Sequence, residues 1–135
     1  MPTDVQRPRA LIIDDEPGVR LFARRVLERN GWEVDDAADG DEGLTHLVHA
    51  VDPPQYGLVL SDIRMPGVDG MHLYAELVIH RPDVLPHLVL YSGTLGDPDI
   101  LSFLKRTAIR VIPKPFTVAQ LLEAAETARH AGSAG

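Results

Sequence analysis

Asp14-Asp15, Asp62, Ser92 and Lys114 are the residues of this chain whose types could do chemistry together. Each follows or closes a short apolar run. Ala10-Leu11-Ile12-Ile13 precedes the Asp pair, Leu58-Val59-Leu60-Ser61 precedes Asp62, Leu88-Val89-Leu90-Tyr91 precedes Ser92, and Ile109 to Ile112 leads through Pro113 to Lys114. If these runs are neighbouring strands, three carboxylates meet. Two unit charges ~4 Å apart at an effective dielectric of ~20 repel by about 4 kcal/mol, so an ionised cluster needs a counter-charge. A hard divalent cation with oxygen ligands supplies it, and an incomplete carboxylate cage completed by water favours Mg²⁺. Lys114 adds a mobile ammonium. It is one of two lysines, with Lys105, against eleven arginines, and a compact ammonium is not interchangeable with a guanidinium fork. Singly, each residue has an ordinary structural reading: Asp15-Glu16-Pro17 can cap a helix, Asp62 can open a turn, Ser92-Gly93 is a common loop dipeptide. Only their joint placement points to a site.

The elements that must position them alternate in period. The apolar runs read as strands buried on both faces. Between them lie helical patterns. Val19, Phe22, Ala23, Val26 and Leu27 recur at i, i+3, i+4, i+7 and i+8 after Pro17, and Asn30-Gly31 stops them. Trp32 to Ala37 is a weaker strand. Leu44, Leu47, Val48 and Val51 mark a second helix that ends before Pro53-Pro54. A turn-rich loop, Met65 to Gly70, leads to a third helix with Leu73, Tyr74, Leu77 and Val78, ended by Pro82. Asp97-Pro98 is expected to cap a fourth helix, and Thr117-x-x-Gln120 is a capping box that opens a fifth carrying Val118, Leu121, Leu122 and Ala125. This (βα)5 alternation predicts an α/β fold, a doubly wound five-stranded parallel sheet of order 2-1-3-4-5, flavodoxin-like. Pro113 closes the last strand without a donor N–H, which suits an edge. In such a sheet ligands bind beyond the carboxyl ends of the strands, where the chain order reverses. Residues 9–129 are read as one domain between flexible ends, 1–8 and 130–135.

Four motifs, Leu11-Ile12-Ile13-Asp14-Asp15-Glu16-Pro17, Leu60-Ser61-Asp62-Ile63-Arg64-Met65-Pro66-Gly67-Val68-Asp69-Gly70, Ser92-Gly93 and Lys114-Pro115-Phe116, closely resemble in order and spacing the receiver domain of two-component response regulators. The resemblance runs from about Arg9 to Ala128. It implies that Asp62 accepts a phosphoryl group from a phosphohistidine and that Asp15 and Asp62 ligate Mg²⁺ directly. The Arg64 backbone carbonyl helps, and Asp14 holds the metal through water. Lys114 pairs with the phosphoryl oxygens and Ser92 hydrogen-bonds them. The implied partners are a histidine kinase or phosphotransfer domain, together with an output domain or hybrid-kinase core in the full-length protein. The implied assembly is a monomer or weak dimer, and catalysis is limited to the domain's own phosphorylation and dephosphorylation. Two positions depart from the usual pattern, and two more bear on the lifetime of the phosphoryl group. Val111 stands where the family usually has Tyr or Phe, as in receivers of hybrid histidine kinases. Gly93 replaces the usual Ala, and Arg64 and Thr94 occupy positions that influence phosphoryl lifetime.

Composition narrows the field independently. The 135 residues allow one domain with a real core, and 44% hydrophobic content excludes wholesale disorder. No cysteine means no disulfides, thiolate metal sites or Cys nucleophile. A net charge of -7 argues against direct nucleic-acid binding. No apolar run reaches the ~18–20 residues of a membrane span, so a cytoplasmic location without membrane contact is expected. There is no G-x-G-x-x-G and no Walker A lysine. A haloacid-dehalogenase-type hydrolase wants Asp-x-Asp after the first strand, where this chain has Asp14-Asp15-Glu16. A flavodoxin-like phosphate loop would not place acids there without a metal. His46-x-x-His49 lies off the apolar stripe of its helix and reads as a solvated face rather than a metal site.

Overall fold

The computed structural model describes residues 7–131. Most of the two ends expected to be flexible therefore lie outside the described residues. The chain alternates β1 (Arg9–Ile13), α1 (Pro17–Arg29), β2 (Glu33–Ala37), α2 (Gly40–Leu44), β3 (Leu58–Asp62), α3 (Gly70–His80), β4 (Leu88–Ser92), α4 (Pro98–Thr107), β5 (Arg110–Pro113) and α5 (Val118–His130). The sheet is parallel, in the order β2-β1-β3-β4-β5. The expected topology is thus observed, with β2 and β5 at the edges.

The continuous apolar runs form the three central strands because both faces are covered. Period-two alternation sorts their side chains. Ala10, Ile12, Leu58, Leu60, Val89 and Tyr91 pack under α1 and α5. Leu11, Ile13, Val59, Leu88 and Leu90 pack under α2, α3 and α4. Each fully buried Leu or Ile contributes roughly 1.5–3 kcal/mol. Register then decides where the polar ends fall. Ile13 pairs with Ser61 and Asp62 pairs with Tyr91, so Asp14, Asp62 and Ser92 emerge on one rim.

Close backbone approaches hold that rim. A Cβ on Gly70 would lie 2.8 Å from Ile63 Cα and 2.9 Å from the Asp62 carbonyl oxygen, and one on Gly40 would lie 2.1 Å from the Val68 carbonyl oxygen. Only glycine lets α2 and α3 start against the loop that follows β3. The Thr117 capping box is fully formed, with Gln120 N–H donating to Thr117 Oγ1 at 3.0 Å and Thr117 N–H donating to Gln120 Oε1 at 2.8 Å.

Four local expectations change. The second helix is one α-turn followed by a π-helical turn, Thr45–His49, so Val51 lies beyond it and is 97% exposed. Of its two histidines, His46 is half-buried and His49 exposed. Val78 on α3 is half-exposed rather than core, because Gly70, Leu73 and Leu77 supply the buried stripe. Asp97 stands at the N-cap of α4, as expected, but its carboxylate makes no cap hydrogen bond; it pairs with Arg64 instead. β5 runs one residue later than read, and Pro113 closes it on the edge.

Candidate functional site

Asp14 follows β1 and is fully buried. Its Oδ1 accepts the Glu16 backbone N–H at 2.8 Å, closing a turn that redirects the chain into α1, and its carbonyl oxygen accepts a bond from Arg20. Its Oδ2 accepts the hydroxyl of Tyr91 at 2.5 Å and lies 3.5 Å from Lys114 Nζ. Asp62 closes β3, 4% exposed. Its Oδ1 accepts the Arg64 backbone N–H at 3.2 Å and its Oδ2 accepts from Lys114 Nζ at 2.8 Å. Lys114 follows β5 and reaches back to a third carboxylate, Glu16. Its own N–H donates to the Ser92 carbonyl at 3.0 Å, so the β4–β5 ladder sets its height above the sheet.

Carboxylate oxygens of Asp14, Glu16 and Asp62 all lie within 4.8 Å of one another. Three carboxylates facing one ammonium leave a formal charge of -2. That excess, and a donor set made only of hard oxygens, fit a divalent cation. The electrostatics agree. Burial raises the Asp62 carboxyl above the ordinary Asp range, and the hydrogen bond and charge of Lys114 offset this only in part. Burial alone would lower the Lys114 ammonium, but its hydrogen bonds to Asp62 and Glu16 prevail and raise it, so it is fully charged.

Sequence reading thus named three members of the cluster: Asp14, Asp62 and Lys114. Asp15 sits on the same turn, exposed, outside the group of converging carboxylates. Ser92 is buried at the end of β4, where its Oγ accepts the Thr94 N–H at 3.0 Å and lies 3.0 Å from Thr94 Oγ1. The Arg64 side chain turns away from the acids, to Asp99 at 2.8 Å and Asp97 at 3.1 Å at the start of α4. Two participants escaped the sequence. Glu16 was legible only as a neighbour of the Asp pair. Tyr91 was legible as the one residue with a polar atom in Leu88-Val89-Leu90-Tyr91, a signal that was there to be used.

The cluster opens on a cleft of about 760 Å³. Asp62, Arg64, Ser92 and Lys114 form its polar floor, and Phe22 and Phe116 are on its wall. Phe22 is 41% exposed and lies 5.9 Å from the Phe116 ring, which meets the Tyr91 ring edge-on at 5.2 Å. A buried carboxylate oxygen beside an ammonium, reachable from a cleft with an apolar wall, can take up a charged group presented by a docked partner.

Comparison with known proteins bears on the same residues. A family model described as the response regulator receiver domain matches residues 10–126. The C4-dicarboxylate transport transcriptional regulatory protein DctD of Rhizobium meliloti is 33% identical over 121 residues, 90% of this chain and 25% of DctD. The sensor kinase CckA of Brucella abortus is 32% identical over 111 residues, 82% of this chain and 11% of that protein. The chain therefore spans only a fraction of the curated relatives it matches. Among solved structures, a CheY-like response regulator receiver domain protein from Methanospirillum hungatei JF-1 superposes with a TM-score of 0.80 at 26% identity, covering 96% of this chain and all of that one. No helix among the described residues is long and apolar enough to cross a membrane. With the family match spanning nearly all of the folded residues and the fold shared end to end, the chain belongs to the response regulator receiver domains, the signalling domains of two-component systems.

Proposed function

We propose that Asp62 is the phosphoryl acceptor and that the domain switches its partner contacts when Asp62 is modified. One observation carries the reading: Asp62, at the carboxyl end of the central strand β3, has Lys114 Nζ 2.8 Å from one of its oxygens. An Asp62 carboxylate oxygen attacks the phosphorus of a phosphohistidine. The P–N bond breaks, its electron pair returns to the imidazole nitrogen, and an acyl phosphate forms. Phosphoryl transfer needs alignment and charge neutralisation more than covalent assistance. Lys114 supplies a fixed positive charge beside the transferred oxygens, and Ser92, released from Thr94, donates its hydroxyl to one of them. Asp15 and Asp62 would hold Mg²⁺ directly with the Arg64 carbonyl, and Asp14 through water, while Glu16 adds a further carboxylate at the same rim. When bound, the ion neutralises charge on the phosphoryl oxygens. The apolar cleft wall at Phe22 and Phe116 suits a histidine kinase or phosphotransfer domain. The product adds negative charge and strong acceptors at a rim otherwise held by Lys114. The same site returns the phosphoryl group to water, so the domain's only turnover is on itself. DctD and CckA carry receivers of this kind within longer chains, so an output domain or a kinase core is the proposed context.

Incubation with acetyl phosphate and Mg²⁺, followed by intact mass measurement, tests the proposal. One added phosphoryl group that depends on Mg²⁺ and is lost in Asp62→Asn is expected. Equal labelling of that variant would overturn it.

A further inference from the structure

β4 is buried on both faces, and such a strand is normally aliphatic throughout. Leu88, Val89 and Leu90 obey this. Tyr91 does not. It is the largest fully buried side chain among the described residues, and it carries a hydroxyl into the interior. A buried hydroxyl without a partner is costly, so its choice of partner is informative. It donates to Asp14 Oδ2 at 2.5 Å, and Asp14 is itself without solvent contact. A phenylalanine would fill the same volume and keep the edge-on contact with Phe116. Packing alone therefore does not explain the oxygen.

The two oxygens of Asp14 have separate anchors. Oδ1 is fixed by the Glu16 N–H, and Oδ2 by Tyr91. Oδ2 is the oxygen that faces Lys114, the ammonium shared with Asp62 and Glu16. With Tyr91 in place, the carboxylate plane is set and Oδ2 is held at the rim. Without it, one end of the carboxylate is free to turn about χ2. Hydrogen-bond partners behind a group that holds a cation, directly or through water, orient it, and loss of such outer partners typically lowers metal affinity ~10–100-fold.

We propose that Tyr91 is a positioning residue for the acidic site: its hydroxyl holds Asp14 in the orientation that receives a divalent cation. The inference rests on the receiver reading above for the cation's role, but not for its own test. Isothermal titration of Mg²⁺ into the unphosphorylated protein is expected to show about tenfold weaker binding for Tyr91→Phe than for wild type, with unchanged cooperative thermal unfolding. The Mg²⁺ concentration giving half-maximal labelling by acetyl phosphate moves up by the same factor. A dissociation constant within twofold of wild type, or a tighter one, overturns the proposal. If Tyr91→Phe does not fold, wild-type protein carrying ring-labelled tyrosine decides the question. The chain has three tyrosines, and Tyr56→Phe and Tyr74→Phe assign their signals. Titration with Mg²⁺ alone must shift the Tyr91 ring signal, and an unmoved signal at saturation overturns the proposal. Wild type that binds Mg²⁺ yet never takes up a phosphoryl group would overturn the receiver reading and leave the Tyr91 comparison valid.

Discussion

Replacing Asp62 by Asn should stabilise the fold, and the site geometry gives the size of the effect. At the 4.8 Å limit of the cluster and an effective dielectric of ~20, a carboxylate facing Asp62 repels it by about 3.5 kcal/mol. Lys114 at 2.8 Å attracts it by about 6 kcal/mol on the same scale. Asp14 is buried and acts at full strength, whereas Glu16 is 59% exposed and is weakened by water. Repulsion and attraction therefore nearly cancel. What remains is the cost of holding a carboxylate out of water, in line with its raised protonation equilibrium. Asparagine keeps a carbonyl for Lys114 and gains an amide for Asp14. The expected gain is roughly 1–2 kcal/mol at pH 7, or about 3–10 °C in Tm. Its pH dependence follows from the sign of the shift. A carboxyl raised in the native state favours the protonated fold, so wild type loses stability as pH rises from the unfolded value of ~3.9 through the native one. Asparagine does not titrate. The gap should be absent below about pH 4 and complete above the raised native value. Thermal melts of both proteins from pH 3 to 8 without metal measure it. Asp62→Asn melting at or below wild type at pH 7, or a gap that ignores pH, would refute the reasoning.

Three other outcomes are expected. Gly40→Ala places a methyl carbon 2.1 Å from the Val68 carbonyl oxygen and should cost at least about 2 kcal/mol in a urea titration, because backbone on both sides must move. Thr117→Ala removes the capping box of α5 and should cost about 1 kcal/mol by the same assay, leaving phosphoryl uptake intact. Arg64→Ala frees the Asp97 carboxylate to cap α4, so amides at the start of α4 should exchange with deuterium more slowly than in wild type while those of β3 do not change.

The three central strands are readable because parallel strands buried on both faces leave an unbroken apolar record, and each begins or ends within a residue or two of that record. The strand ends alone put Asp14, Asp62, Ser92 and Lys114 on one rim. What escaped is direction. Asp97 has the residue type and place of a helix cap, yet a guanidinium thirty-three residues earlier outcompetes the local backbone for its carboxylate. Val51 continues a helical spacing that the π-turn at Thr45–His49 has already ended. Tyr91 reads as strand core, which it is; that its hydroxyl meets Asp14 seventy-seven residues away depends on two strand registers at once. Local pattern fixes which residues face inward. It does not say which polar atom a distant group will prefer.

The two sheet edges have a consequence for self-association. A bare edge strand offers unpaired N–H and C=O groups to any second chain. β2 exposes Glu33 and carries Asp35 and Asp36 along its length, while β5 begins at exposed Arg110 and closes at a proline with no N–H to donate. Neither edge is a good template for a sixth strand, so crowding many copies together should not zip them into extended sheets.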